Sequence, residues 1–127
     1  MTKILIIDDE VYFANNISKL LNANDRSLEV FAVYSAEEAV EQLEKAQFDI
    51  VVTDIKMPKM DGISLVEIIK KKYPQTVVIV MTAYGSKEVM ESAFNIGSLL
   101  YIEKPFKVEK LENLITLARK KNLNPKV

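Results

Sequence analysis

Four short apolar runs in this chain lead into side chains capable of chemistry. Asp8 and Asp9 follow Ile4-Leu-Ile-Ile7, and Asp54 follows Ile50-Val-Val-Thr53. Thr82 follows Val77-Val-Ile-Val-Met81, and Lys104, with Pro105 and Phe106 behind it, follows the run from Leu99 to Ile102. Three carboxylates and one ammonium brought together carry a formal charge of about −2 when all are ionised at neutral pH, which one divalent cation would cancel. The chain has no histidine and no cysteine, so the donors are all oxygen. That favours a hard ion, and Mg²⁺ suits a few carboxylates completed by a backbone carbonyl, water and a phosphate oxygen. One carboxylate can then attack a phosphoryl group and form an acyl phosphate, while the cation and the lysine neutralise its oxygens.

For these residues to meet, the apolar runs must be neighbouring strands that end on the same side of one sheet. A further run, Leu28 to Val33, completes a set of five. Most do not alternate apolar with polar residues, as expected for strands covered on both faces in a parallel sheet. Between them lie helical patterns. Phe13, Ala14, Ile17, Leu20 and Leu21 predict one apolar stripe on a first helix. Ser35 with Glu38 forms a capping box ahead of Ala36, Ala39, Val40 and Leu43. Leu65, Val66 and Ile69 mark a third helix that stops before Pro74. Val89, Met90, Ala93 and Phe94 mark a fourth, closed by Gly97, and Leu111, Leu114, Ile115 and Ala118 a fifth. Strand and helix repeated five times predict a doubly wound α/β fold, a five-stranded parallel sheet with right-handed crossovers and helices on two faces. Ligands bind such sheets at the carboxyl ends of the strands. The second strand delivers only Tyr34 and Ser35 there, which suits an edge position. Periodicity fades from Lys120, and residues 123–127 are expected to fray.

Composition excludes several classes of function. Lys and Arg number 17 against 18 for Asp and Glu, so nothing marks a nucleic-acid-binding surface. Without His or Cys there is no disulfide, no ordinary zinc site and no His-based triad. No apolar run approaches the length of a membrane span and none reads as a signal peptide, so a cytoplasmic protein with no membrane contact is expected. A Rossmann nucleotide site is disfavoured too. Its first turn needs a glycine-rich phosphate loop, and this chain has carboxylates there and three glycines in all.

Taken singly, each residue has a plainer reading. Asp9 would cap a helix, Asp54 would open the turn Lys56-Met-Pro-Lys-Met-Asp61-Gly62, Thr82 would bond locally and Lys104 would be solvated. Lys70-Lys-Lys72 reads as a solvated helix end whose cations complement the dipole, and the methionines as core filling. Capping and turns do not explain why one such residue ends each of four strands.

In order and separation these motifs resemble the receiver domains of two-component response regulators, including the single-domain chemotaxis regulator. The resemblance spans Lys3 to about Lys120 and rests on four motifs: Ile4-Leu-Ile-Ile-Asp8-Asp9-Glu10, Asp54-Ile-Lys-Met-Pro58-Lys-Met-Asp61-Gly62, Met81-Thr-Ala-Tyr84 and Tyr101-Ile-Glu-Lys104-Pro105-Phe106. It implies the flavodoxin-like strand order 2-1-3-4-5 and a receiver domain over residues 1–122. It implies that Asp54 accepts a phosphoryl group from a sensor histidine kinase or phosphotransfer protein and becomes the aspartylphosphate. Asp8, Asp9, Asp54 and the backbone carbonyl of Lys56 would hold Mg²⁺. Lys104 would meet the phosphoryl oxygens, Thr82 and Tyr101 would act as the switch, and the Lys104–Pro105 bond would be cis. The output surface would be the fourth helix, fifth strand and fifth helix, where partners or a second copy of the chain bind.

Two departures qualify the resemblance. One DNA-binding subfamily carries acids before the aromatic of strand five, used in a charged dimer, where this chain has Leu99 and Leu100; an apolar contact is the expected replacement. Lys56 and Tyr84 stand two residues beyond Asp54 and Thr82, positions that in the family flank attacking water, so slow autodephosphorylation is expected. A competing reading is a small aspartate-dependent phosphohydrolase, in which Asp8 is the nucleophile. Such enzymes resemble Asp-x-Asp at the end of strand one, whereas this chain has Asp8-Asp9-Glu10. An adaptor that binds partners without phosphorylation is disfavoured, because every residue of the site is present.

Overall fold

A computed structural model describes residues 1–56, 62–83 and 100–123. Its strands are β1 (Thr2–Ile7), β2 (Leu28–Val33), β3 (Ile50–Asp54), β4 (Val77–Ala83) and β5 (Leu100–Lys104). They form one parallel sheet in the order β2-β1-β3-β4-β5. Helices α1 (Val11–Asn24), α2 (Ala36–Lys45) and α3 (Gly62–Lys72) and a C-terminal helix (Val108–Leu123) complete the described elements. The fourth helical pattern, with Leu99, Tyr84 and residues 124–127, lies outside the described residues.

The unbroken apolar runs have a simple cause. Ile4, Leu5, Ile6 and Ile7 are all fully buried because successive side chains enter two different cores. Ile4 and Ile6 pack with Ala14, Ile17 and Leu21 of α1 and with Leu111, Ile115 and Ala118 of the C-terminal helix. Leu5 and Ile7 pack with Ala36, Ala39 and Leu43 of α2 and with Leu65, Val66 and Ile69 of α3. The central strands β3 and β4 divide their side chains in the same way.

On α1 the buried set differs from the expected stripe: Ser18 is buried, and Leu20 is 45% exposed. At about 100° per residue, Ala14, Ile17, Ser18 and Leu21 share one arc. Leu20 falls about 110° from its centre. Ser18 tolerates burial because its hydroxyl donates to the Asn15 carbonyl at 3.1 Å. Helix α2 opens as its capping pattern predicts, with Ser35 Oγ accepting from the Glu38 N–H at 3.1 Å.

Strands β3, β4 and β5 run further than their apolar segments. Ladder partners Asp54↔Met81 and Ala83↔Lys104 extend pairing through the polar residues. Asp54 and Lys104 therefore end β3 and β5 from within the sheet, and Thr82 is the penultimate residue of β4. Their backbones are held by the ladder, which makes the polar edge of the sheet a rigid platform.

The outer edge of β2 is closed by a side chain. Asn22 of α1 donates from Nδ2 to the Val30 carbonyl at 3.1 Å and accepts the Val30 N–H at Oδ1 at 3.0 Å. One amide thus satisfies both outward backbone groups of that residue, which would otherwise offer an unpaired edge. Asn22→Leu removes both bonds. We expect a loss of about 1–2 kcal/mol in urea unfolding at unchanged m-value, and Asn22→Asp, which keeps only the acceptor, to fall between.

Candidate functional site

Strand register brings the polar residues together. Ile7 pairs with Thr53, so Asp8 leaves β1 beside Asp54 at the end of β3. Asp54 pairs with Met81 and Thr82 with Glu103, which places Thr82 and Lys104 on the adjoining strand ends. The second strand contributes nothing to this group, consistent with its edge position.

Lys104 is the centre of the arrangement. Its Nζ lies 2.6 Å from Asp8 Oδ2, 3.3 Å from Asp54 Oδ2 and 3.4 Å from Glu10 Oε1. The other oxygen of each aspartate is tethered in the same manner. Asp8 Oδ1 accepts the Glu10 N–H at 2.9 Å, and Asp54 Oδ1 accepts the Lys56 N–H at 3.2 Å. Each carboxylate is thus fixed on one side by the backbone two residues ahead and turned on the other toward the ammonium. The side chain of Asp8 is wholly buried, whereas Asp54 keeps 13% of its surface and Glu10 keeps 68%. Asp54 is the buried-strand carboxylate that an incoming group can still reach.

Electrostatics follow from this geometry. Burial pushes the Asp54 carboxyl above the ordinary aspartate range, against the opposing charge of Lys104 and with the added repulsion of Asp8. Burial alone would lower Lys104. The Asp8 hydrogen bond and the charges of Asp54 and Asp8 outweigh it and hold the ammonium above its usual value.

Oxygens of Asp8, Glu10 and Asp54 lie within 4.8 Å of one another. Three hard donors at the sheet edge, with one ammonium neutralising only part of their charge, fit a divalent cation such as Mg²⁺. Asp9, exposed, is not among the three, and it does not cap α1: the capping position is Glu10, with no side-chain bond to the helix. Glu10 was visible in the sequence only as the third acid of Asp8-Asp9-Glu10. Its approach to Lys104 depends on α1 starting at Val11, which turns the chain back over the strand ends.

Thr82 is fully buried, and its Oγ1 is a buried side-chain polar atom with no hydrogen-bond partner among the described residues. Lys56 is exposed, and Tyr101 is 37% exposed on β5. The Lys104–Pro105 bond is cis. Nothing in the sequence connected Phe13 with this site, yet its ring centroid is 4.4 Å from Lys104 Nζ.

Comparison with known proteins agrees with this architecture. The family of response regulator receiver domains matches residues 4–116. The response regulator protein FleR of Pseudomonas aeruginosa is 34% identical over 113 residues, covering 89% of this chain and 24% of that protein. The chain thus spans about a quarter of the length of the curated relatives it matches. A receiver domain protein from Clostridium thermocellum superposes with a TM-score of 0.87 at 35% identity, covering 97% of this chain and 99% of the other. The beryllofluoride-activated NtrC4 receiver domain dimer gives 0.87 at 30% identity, covering 96% and 99%. With that match running along the two-sided sheet and across the strand ends that carry Asp8, Asp54, Thr82 and Lys104, the chain belongs to the response regulator receiver domain family.

Proposed function

We propose that this receiver domain takes a phosphoryl group onto Asp54 from a phosphohistidine of a sensor histidine kinase or phosphotransfer protein. The observation that carries the reading is the contrast between the two aspartates. Asp8 is buried and bonded to Lys104 at 2.6 Å, while Asp54 remains partly open at 3.3 Å from the same ammonium. In the transfer an Asp54 oxygen attacks phosphorus, an O–P bond forms, and the P–N bond to the donor imidazole breaks, its electron pair leaving with the imidazole nitrogen. Lys104 is placed to neutralise a phosphoryl oxygen. The same contrast disfavours a hydrolase with Asp8 as nucleophile.

Asp8 and Asp54 would hold Mg²⁺ with the Lys56 carbonyl, and Asp9 or Glu10 would complete the acidic set. When bound, the ion neutralises charge on the carboxylates and on the phosphoryl oxygens. Thr82 supports a switching role, since its buried hydroxyl, without a partner among the described residues, stands to gain an acceptor when phosphoryl oxygens arrive, drawing Tyr101 inward behind it. The altered surface would be met by a partner or by a second copy, as the dimeric form of the NtrC4 receiver suggests.

These assignments lead to three measurements. Incubation with Mg²⁺ and acetyl phosphate is expected to add one phosphoryl group by intact mass; Asp54→Asn or excess EDTA should abolish the gain, and Lys104→Met should slow it about 10²-fold. A gain of equal size in Asp54→Asn, or label found on Asp8, would overturn the reading. Because a long or bulky residue stands two positions beyond Asp54 and beyond Thr82 in the sequence, at Lys56 and Tyr84, the phosphorylated protein should keep its label well beyond seconds after donor removal; loss within seconds refutes that expectation.

The third measurement concerns stability. Because the folded protein raises the Asp54 pKa above its unfolded value, ionising Asp54 costs stability at neutral pH. In metal-free buffer Asp54→Asn should therefore unfold at higher denaturant than the wild type at pH 7, and the gap should close as pH falls through the raised value. A gap that widens on acidification contradicts the assignment.

A further inference from the structure

We infer that Phe13 is a positioning residue for Lys104, its ring face forming a wall of the ammonium's seat that stays in place while the carboxylate partners exchange. The inference rests on the reading of Lys104 as the group that meets phosphoryl oxygens. Its Nζ is 4.4 Å from the Phe13 ring centroid, inside the range of about 6 Å over which a cation is drawn to an aromatic face. The lysine side chain is only 19% exposed, so water screens this attraction little.

Three elements set the geometry. Phe13 lies one turn after Glu10 at the start of α1, so both residues face Lys104 from the same side of the helix. Phe106, two residues beyond Lys104, meets the Phe13 ring edge-to-face at 5.7 Å and 83° and fixes its tilt. Both rings pack against the core formed by α1, the C-terminal helix and the sheet.

The need for such a wall follows from what Lys104 must do. A divalent cation held by Asp8 and Asp54 would compete with the ammonium for those carboxylates, and a phosphoryl group on Asp54 would offer it new oxygens. A lysine has a long, flexible stem and strongly hydrated charge, so losing its partners would release it to solvent. An aromatic face neither titrates nor ligates a hard cation, so its attraction persists through the exchange. A plain core role for Phe13 would require only its volume.

Two readouts separate these accounts. In the unphosphorylated protein, the Lys104 ε-methylene protons should be shifted upfield by the ring and return to ordinary values in Phe13→Leu; their absence from the shielded region in the wild type overturns the inference whatever happens to phosphorylation. In the acetyl phosphate reaction, Phe13→Leu should slow phosphorylation roughly three- to tenfold, and replacing Phe13 with progressively fluorinated phenylalanines should slow it stepwise at unchanged thermal midpoint. In a Lys104→Met background the Phe13→Leu change should have no further effect. An equal effect in both backgrounds, or rates indifferent to fluorination, assigns Phe13 to packing alone. A wild type that gains no phosphoryl group contradicts the Asp54 reading, and the positioning role of Phe13 falls with it.

Discussion

The ammonium of Lys104, held between Asp8 and Asp54, is the interaction on which the site depends. Two carboxylates at neighbouring strand ends repel, and burial raises the cost of charging them. Lys104 offsets part of both terms. It can do so only because β1, β3, β4 and β5 are held in one register, so that residues separated by 50 and 96 positions in sequence come within hydrogen-bonding distance. A shift of one residue along β5 would turn Lys104 toward the opposite face of the sheet. The two hydrophobic cores that clamp the sheet from either side are thus what give the site its geometry.

The balance remains incomplete. Asp54 stays above its ordinary pKa even with Lys104 beside it, so the free site carries more negative charge than its surroundings favour. An extra cation or an electrophile at phosphorus would lower that energy, which gives physical content to the proposal that the site receives both. Glu10 adds a third carboxylate with most of its surface in water, where its charge costs little and still adds to the local field.

Most of the fold was legible in the sequence because it rests on strong, local signals. Unbroken apolar runs gave the buried strands, and Ser35 and Pro74 marked helix ends. The site followed from asking which residue ends each run. What escaped was geometry that only the assembled fold supplies. Leu20 has the right residue type yet points away, because the arc shared by Ala14, Ile17, Ser18 and Leu21 leaves it outside. Asp9 looked equivalent to Asp8 beside it, yet one is buried in the salt-bridge network and the other is exposed. Phe13 read as core filling, since an aromatic on an apolar stripe usually is; its contact with Lys104 joins α1 to β5, a pairing that no local pattern encodes. The apolar runs alone stop short of the strand ends, because polar residues break an apolar run without breaking a hydrogen-bond ladder.

On the proposed reading, Thr82 is the residue through which this platform would become a switch. A buried hydroxyl without a partner costs about 1–3 kcal/mol, and the buried Thr82 hydroxyl has no partner among the described residues. A conformation in which it finds an acceptor gains back a comparable amount, and about 1.4 kcal/mol already shifts a two-state population tenfold. The same acceptor oxygens would draw on Lys104, so both groups favour one rearrangement. Since Thr82 and Lys104 lie on adjacent strands joined by the Thr82↔Glu103 and Ala83↔Lys104 pairs, the ladder would make their responses act on the same edge of the sheet, and Tyr101 lies on the same strand as Lys104, three residues before it and 37% exposed. A local change in hydrogen bonding is thereby placed where it can alter an exposed surface.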